Sequence, residues 1–387
     1  MKRPKRILTC LLALIGSIGA LAACGSQAPI APSTGTPTAT LQPSVTPQPS
    51  MTVPATPTTP LAAPSPTAQI EAPPMGDGNT HEVLFAIPVG EQKEGIQYRG
   101  DNVEGMQRSG PAAFTVAPDG SFWIADTAGL RVLQYSPGGE WLQTVDLAIQ
   151  PRSLIDIEAT ASEIYVLDAF PTPPLVLRIS PDGRVLGQYE LPEEFRLETL
   201  LTGIGLDQEG ALLVEMDGGA SVSRLLDEQG RIAPTPLNGY THEGTLYNAR
   251  PAGIQAEDNR VGHITIGDRR VEVRMQHFLG GLRILGFGPE GSVFVRLEEV
   301  VVEVREGEVP VDQTVRRYSA GGRLLGMARM PLVRQHTYVT QAVSIGPNGE
   351  AFAMLTQPER VDILRLRFAA TLDPILAPPA PATPPTQ

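Results

Sequence analysis

The sequence predicts an all-β fold built from a four-strand unit that recurs around a ring. Three observations carry that prediction. The clearest stretch, Phe114–Val145, holds four short runs of β-branched and aromatic residues separated by Pro118-Asp119-Gly120, Asp126–Gly129 and Ser136–Gly139. Gly and Asp supply the backbone angles of tight turns, and the runs between them suit strands. A glycine after the third strand then recurs at Gly139, Gly183, Gly230 and Gly322, at intervals of 44, 47 and 92 residues. The last interval is twice 46, so one unit with an eroded signal lies between Gly230 and Gly322. Finally, a meander of 32 residues cannot bury both of its faces alone and needs neighbours of its own kind.

In chain order, Met1–Arg6 is basic and Ile7–Ala20 is an apolar run of fourteen residues. That run suits a signal peptide and falls short of the roughly twenty residues of a membrane span. Leu21-Ala22-Ala23-Cys24 follows and resembles the bacterial lipobox. The resemblance implies residues 1–23 as a lipoprotein signal peptide, a lipid on the Cys24 thiol and a chain held at the cell membrane or outer membrane, facing the extracytoplasmic side. Residues 24–75 are rich in Pro, Thr, Ala, Ser and Gln, with Glu71 as the one charge. Such a segment has little to bury and favours extended conformations, so the sequence predicts a disordered tether there. The Pro-rich tail, 373–387, reads the same way.

Residues 80–370 hold the repeats. After Phe114–Val145, the second unit is Ser162–Asp168 with Leu175–Leu191, and the third is Gly203–Asp217 with Ser221–Ala233. The eroded fourth is expected at Ala252–Met275, with its outer strand missing. The fifth is Leu282–Val300 with Thr314–Met330, and the sixth is Ala342–Thr356 with Asp362–Phe368. Six units of about 46 residues fall in the range of propeller blades. The sixth lacks a fourth strand, and His81–Val89 is the free strand available to pair with Asp362–Phe368 and close the ring. The expected fold is therefore a six-bladed β-propeller, with five or seven blades left open by the eroded unit.

The run from Gly110-Pro111 through VAPDGSFWIADT to LRVLQYSPGG resembles NHL-type propeller repeats. That resemblance implies a six-bladed ring and a binding role. Related six-bladed propellers include lactonases and lyases, so the fold does not name the function.

Composition narrows the partners. The chain carries 42 acidic and 30 basic residues, and loss of Lys2, Arg3, Lys5 and Arg6 with the leader would leave 26 basic ones, a net charge of −16. That balance repels nucleic-acid phosphates. The only cysteines, Cys10 and Cys24, lie outside the repeats, so disulfide and thiol chemistry are not expected in the fold. No HExxH, HxH, GxSxG or phosphate-loop pattern occurs, and neither a cofactor nor a metal is expected.

Topology supplies the candidate site. Turns between first and second and between third and fourth strands are short and share one face. Longer connections share the other, at Gly90–Gly110, Leu191–Thr202, Leu237–Arg250 and Pro331–Thr340. Long loops on a rigid scaffold carry binding residues. The candidates there are Arg99, Asp101, Asn102, Arg108, Asp126, Asp168, Phe170, Phe195, Tyr240, His242, Tyr247, His336 and Tyr338. Asp126 and Asp168 match in position, and hydrogen bonding to loop backbone is the plain role for both. The expected function is binding of a protein, peptide or envelope glycan through the long-loop face; the alternative is a hydrolase or lyase at the channel mouth.

Overall fold

The computed structural model describes residues 80–100, 108–147, 153–170, 173–195, 201–253, 256–300, 311–331 and 335–372. The leader, Cys24, the tether, Asp101, Asn102 and the tail lie outside the described residues. Twenty-four strands form six four-stranded antiparallel sheets. Blade 1 comprises β2 (Pro111–Val116), β3 (Phe122–Asp126), β4 (Arg131–Tyr135) and β5 (Trp141–Asp146). Blade 2 comprises β6 (Leu154–Ala159), β7 (Ile164–Asp168), β8 (Leu175–Ile179) and β9 (Val185–Glu190). Blade 3 comprises β10 (Leu201–Leu206), β11 (Leu212–Met216), β12 (Ser221–Leu226) and β13 (Ile232–Leu237). Blade 4 comprises β14 (Tyr240–His242), β15 (Thr245–Pro251), β16 (Val261–Ile266) and β17 (Arg269–Arg274). Blade 5 comprises β18 (Phe278–Gly288), β19 (Ser292–Val300), β20 (Val311–Tyr318) and β21 (Leu324–Arg329). Blade 6 takes β22 (Val343–Ile345), β23 (Ala351–Thr356), β24 (Arg360–Leu366) and, from the other end of the fold, β1 (His81–Pro88).

The six-bladed propeller expected from the repeats is the observed fold. β1 pairs antiparallel with β24 from His81↔Leu366 to Pro88↔Arg360. That pairing supplies blade 6 with its outer strand and leaves neither strand as an open inner edge.

The fourth unit differs from expectation. Its outer strand is present, as β17, and the unit begins twelve residues earlier, at Tyr240 rather than Ala252. The expected first strand is mostly connection, and Gly262–Ile266 and Arg269–Arg274 are its third and fourth strands. The physical reason is a first strand of only three residues, closed onto β15 by a two-residue turn. Glu243 (φ 48°) and Gly244 (φ 73°) both take left-handed backbone there, which is the hairpin geometry that matches strand twist. Leu237–Arg250, expected as a long connection, is largely strand.

The core lies between blades rather than at the axis. Five apolar clusters are formed by facing sheets. Between blades 6 and 1, Phe85 meets Phe122 edge-on at 5.2 Å and Tyr135 at 5.8 Å, while Phe122 meets Phe352 at 5.1 Å. These contacts seal the closing strand against the best-preserved blade.

The repeat glycines are needed for backbone reasons. Gly139, Gly183, Gly230 and Gly322 all have φ between 74° and 85°. At Gly139 a Cβ would also overlap Phe85, whereas at Gly230 it would meet nothing within 4 Å. Left-handed backbone costs an L-residue about 1–2 kcal/mol. Gly230→Ala should therefore cost about that much, and Gly139→Ala should cost at least about 1 kcal/mol more from displaced Phe85. Equal losses in denaturant unfolding would contradict the packing of β1 on the blade 1 turn.

Candidate functional site

The first strands of all blades line an axial cavity of about 310 Å³. Its walls come from β2, β6, β10, β14, β18 and β22, mostly from the later half of the strand, with Leu213 and Glu215 of β11. The wall continues into Asp207 and Gln208 of the β10–β11 turn. The cavity thus occupies the half of the channel toward the short turns, opposite the long connections.

Alternation along the inner strands places charge at its floor. β6 reads Leu-Ile-Asp-Ile-Glu-Ala, so Asp156 and Glu158 project from one face and Ile157 packs on the other. Thr115 Oγ1 of β2 donates to Glu158 Oε2 at 3.2 Å. Asp156 is buried and accepts from two backbone amides, Ile157 at 2.9 Å and Ile204 at 2.8 Å. Glu215 of β11 accepts from the Tyr240 hydroxyl at 2.5 Å and pairs with Arg283 Nη2 of β18, also at 2.5 Å. Arg283 Nη1 donates to Gln341 Oε1 at 2.7 Å, and Gln341 in turn donates to the Val343 carbonyl at 2.9 Å. Every blade therefore contributes to one polar network.

A close approach makes this possible. A Cβ at Gly203 would lie 2.5 Å from Asp156 Oδ2 and 2.7 Å from Arg283 Nη2. Only the absence of a side chain lets that carboxylate and that guanidinium meet against the β10 backbone.

Charge in the network is unbalanced. Arg283 faces Asp156, Glu158 and Glu215, and Arg296 of β19, half-buried, is spent on Glu298 at 3.3 Å. Burial pushes the Glu158 carboxyl up to about 8, and the neighbouring Asp156 carboxylate adds to this. Glu158 borders the cavity and is only partly covered, but it lies deep along the axis, and that depth penalises its charge. Burial likewise raises Asp156 to about 7, with Arg283 pulling the other way. For Arg283, burial disfavours the charge but the surrounding carboxylates win and hold it protonated. The Tyr240 hydroxyl is pushed well above its ordinary value, first by burial and then by the Glu215 carboxylate.

His242 also lines the cavity and stacks on Phe287 at 4.3 Å, with the planes 7° apart. Its burial lowers its pKa, partly opposed by Glu243, so a neutral imidazole faces the same space as a protonated Glu158. Among the described residues, no group of three or more His, Cys, Asp or Glu side chains is arranged to hold a metal ion.

The sequence candidates divide. Tyr240 and His242 stand on β14 rather than in a long loop, and both reach the cavity. Asp126 is fully buried: it pairs with Arg131 at 2.9 Å and accepts from the Gly129 and Gln97 amides. Arg131 donates onward to the Gly95 carbonyl at 2.6 Å, so this pair pins the connection before blade 1. Asp168 is buried and accepts from Ser153 and Phe170 amides. Both aspartates thus do the loop-bonding expected as their plain role. Arg99 bridges to Ser109, with Arg108 exposed beside it. His336 stacks on Tyr98 at 5.2 Å, and Tyr338 is 66% exposed. Phe195 is buried and Phe170 exposed, and Tyr247 lies buried on β15. None of these reaches the cavity. The sequence reading missed Asp156, Glu158, Glu215 and Arg283. The available signal was charge inside otherwise apolar strand runs, as in Leu-Ile-Asp-Ile-Glu.

Comparison with known proteins adds shape alone. No family model matches the chain, and no curated protein matches it. Among solved structures it is similar to hydrazine synthase of Kuenenia stuttgartiensis, at 16% identity over 69% of this chain and 80% of that one, TM-score 0.43. It is similar to a virginiamycin B lyase from Staphylococcus aureus, at 13% identity over 70% and 99%, TM-score 0.38. It is also similar to a member of the DUF4221 family from Bacteroides vulgatus, at 10% identity over 76% and 99%, TM-score 0.43. Likeness at this level carries no argument about chemistry.

The raised carboxyls give a signed expectation. Between its unfolded value near 4.5 and its folded value near 8, Glu158 binds more proton in the folded chain. Stability contributed by that proton is present at low pH and is lost as pH rises through about 8. Asp156 acts in the same direction up to about 7. The melting temperature should fall between pH 5 and pH 9, and Glu158→Gln, which cannot ionise, should flatten that fall. An identical slope in the variant would contradict the assignment.

Proposed function

We propose that the chain is an extracytoplasmic, lipid-anchored binding propeller that takes a small molecule, or the end of an envelope protein or glycan, into its axial cavity. The carrying observation is the cavity, into which the first strands of all six blades turn side chains and at whose floor every blade joins one polar network. Pockets of about 300–1,000 Å³ with a few convergent polar groups are the usual form of a ligand site. The lipobox-like Cys24 and the Pro/Thr-rich tether support an anchored location outside the cytoplasm. The NHL-like repeats support a binding role. Among the described residues no helix is long and apolar enough to cross a membrane. Recognition was expected on the long-loop face; the cavity favours the other half of the channel.

A second reading, a hydrolase or lyase in the channel, is favoured by one observation. Glu158 and His242 border one cavity with opposite shifts, an acid that keeps its proton and an imidazole that stays neutral. Such pairs suit acid and base roles. Turnover lost in both Glu158→Gln and His242→Asn would place catalysis above binding.

Gly205 offers a clean way to close the cavity. It lines the wall, its Cβ would meet only Glu215 Oε1 at 3.7 Å and Leu213 at 4.0 Å, and its φ is not left-handed. Full-length wild type should retain a component of solubilised envelope extract, and Gly205→Phe should retain at least about tenfold less, the loss expected when a pocket is filled. Tyr338→Ala, on the long-loop side, should behave as wild type. The reverse pattern would overturn the cavity reading and restore the long-loop face. In the same cells Cys24→Ser should move the chain out of the membrane fraction.

A further inference from the structure

We propose that the axial cavity is a sugar-binding site, taking a single uncharged, hydroxyl-rich ring against Glu158, Arg283 and Gln341 at its floor and Phe287 at its wall. This rests on the binding reading above and names the ligand class.

The argument begins with what the floor leaves unpaired. Arg283 is 5% exposed and borders the cavity, and its Nε–H has no acceptor among the described residues. Its Nη atoms are already taken by Glu215 and Gln341. A buried donor left unmet is costly, so it calls for an acceptor from the guest. Glu158 presents the complementary need. Its one hydrogen-bonded partner among the described residues is the Thr115 hydroxyl, and a carboxyl group that holds its proton has an O–H to donate as well as further capacity to accept. The floor therefore offers the guest donors at Arg283 and Glu158 and an acceptor at Glu158. A hydroxyl is both, and adjacent hydroxyls on a ring offer the two roles at neighbouring atoms.

Charge excludes the other polar classes. An anionic guest would come near Asp156, Glu158 and Glu215, with the Arg283 guanidinium already paired with Glu215. A cationic guest would suit those carboxylates but supplies no acceptor for Arg283 Nε and would meet its charge. An apolar guest would leave both floor groups unmet. With Glu158 holding a proton at neutral pH, the floor is close to balanced, and an uncharged guest disturbs it least.

The walls and the size agree. Phe287 borders the cavity together with Ile345, and the Phe287 ring is fixed by stacking on His242. A pyranose presents C–H faces to such rings while its hydroxyl rim points to the floor. About 310 Å³ equals the liquid share of roughly ten water molecules, which fits one ring and not a chain. The chain that continues from such a ring would leave past Asp207 and Gln208, where the wall meets the short-turn face.

The test uses the purified full-length chain and ligand-observed NMR titration with four probes: methyl β-glucoside and N-acetylglucosamine as neutral sugars, glucuronate as the anion and putrescine as the cation. At least one neutral sugar should bind, glucuronate and putrescine should bind at least about tenfold more weakly, and Gly205→Phe should abolish the signal. Glu158→Ala should weaken the sugar about tenfold, the order expected for loss of a buried hydrogen-bond partner, with partial recovery in Glu158→Gln. Asp182→Asn, on an exposed outer turn, should bind as wild type. Melting curves confirm that each variant is folded. Preference for putrescine or glucuronate overturns the proposal. So does failure of both neutral sugars while Gly205→Phe still loses capture from envelope extract, because the cavity is then used by another class. Unchanged capture by Gly205→Phe is the separate result that removes the binding reading itself.

Discussion

Arg283 stands where the inner strands of the six blades converge, and its guanidinium pairs with Glu215 and feels the charges of Asp156 and Glu158 in a space withdrawn from water. Much about the channel follows from that imbalance. A buried ion pair is worth keeping only when its remaining hydrogen-bond capacity is met, and losing one partner strands the other. Here most of that capacity is met, by backbone amides on Asp156, by the Tyr240 hydroxyl on Glu215 and by Gln341 on Arg283, and the Arg283 Nε–H is left without an acceptor among the described residues. The carboxyl left over, Glu158, relieves its position by holding a proton. A closed ring of packed sheets is what keeps these groups at fixed separations, since each comes from a different blade or strand.

The ring in turn depends on its interfaces. Apolar residues are committed to blade–blade contacts, which leaves the axis free for polar side chains. β1 completes blade 6 and carries Phe85 into the aromatic cluster with Phe122 and Tyr135 of blade 1. The long connection after β1 is tied down by Asp126 and Arg131. That buried pair spends on architecture two residues that a loop-based reading would assign to recognition.

How much of this was legible in the sequence follows from which signals are local. Turn glycines are local: the left-handed backbone at Gly139, Gly183, Gly230 and Gly322 allowed the units to be counted and the closing strand to be placed. Blade 4 was harder because its first strand, Tyr240–His242, is too short for an alternation to show, and its third-to-fourth-strand glycine, Gly267, breaks the period of about 46. The cavity was least legible. Asp156, Glu158, Glu215 and Arg283 span 128 residues, and each looks like an ordinary charge on a half-exposed strand. Only the ring brings them together. Loop length points to the opposite face, and Tyr240 and His242 reach the cavity from a strand that reads as loop in the sequence.

The central claim is that the channel holds an acid in its protonated form at neutral pH. Side-chain carboxyl carbons of the labelled full-length chain can be followed directly by NMR from pH 3 to pH 10. Burial of the two carboxyls predicts one that titrates near 8 and is missing from the spectrum of Glu158→Gln, with a second near 7. If every carboxyl titrates below pH 5, the buried imbalance around Arg283 does not exist and the account of the cavity fails with it.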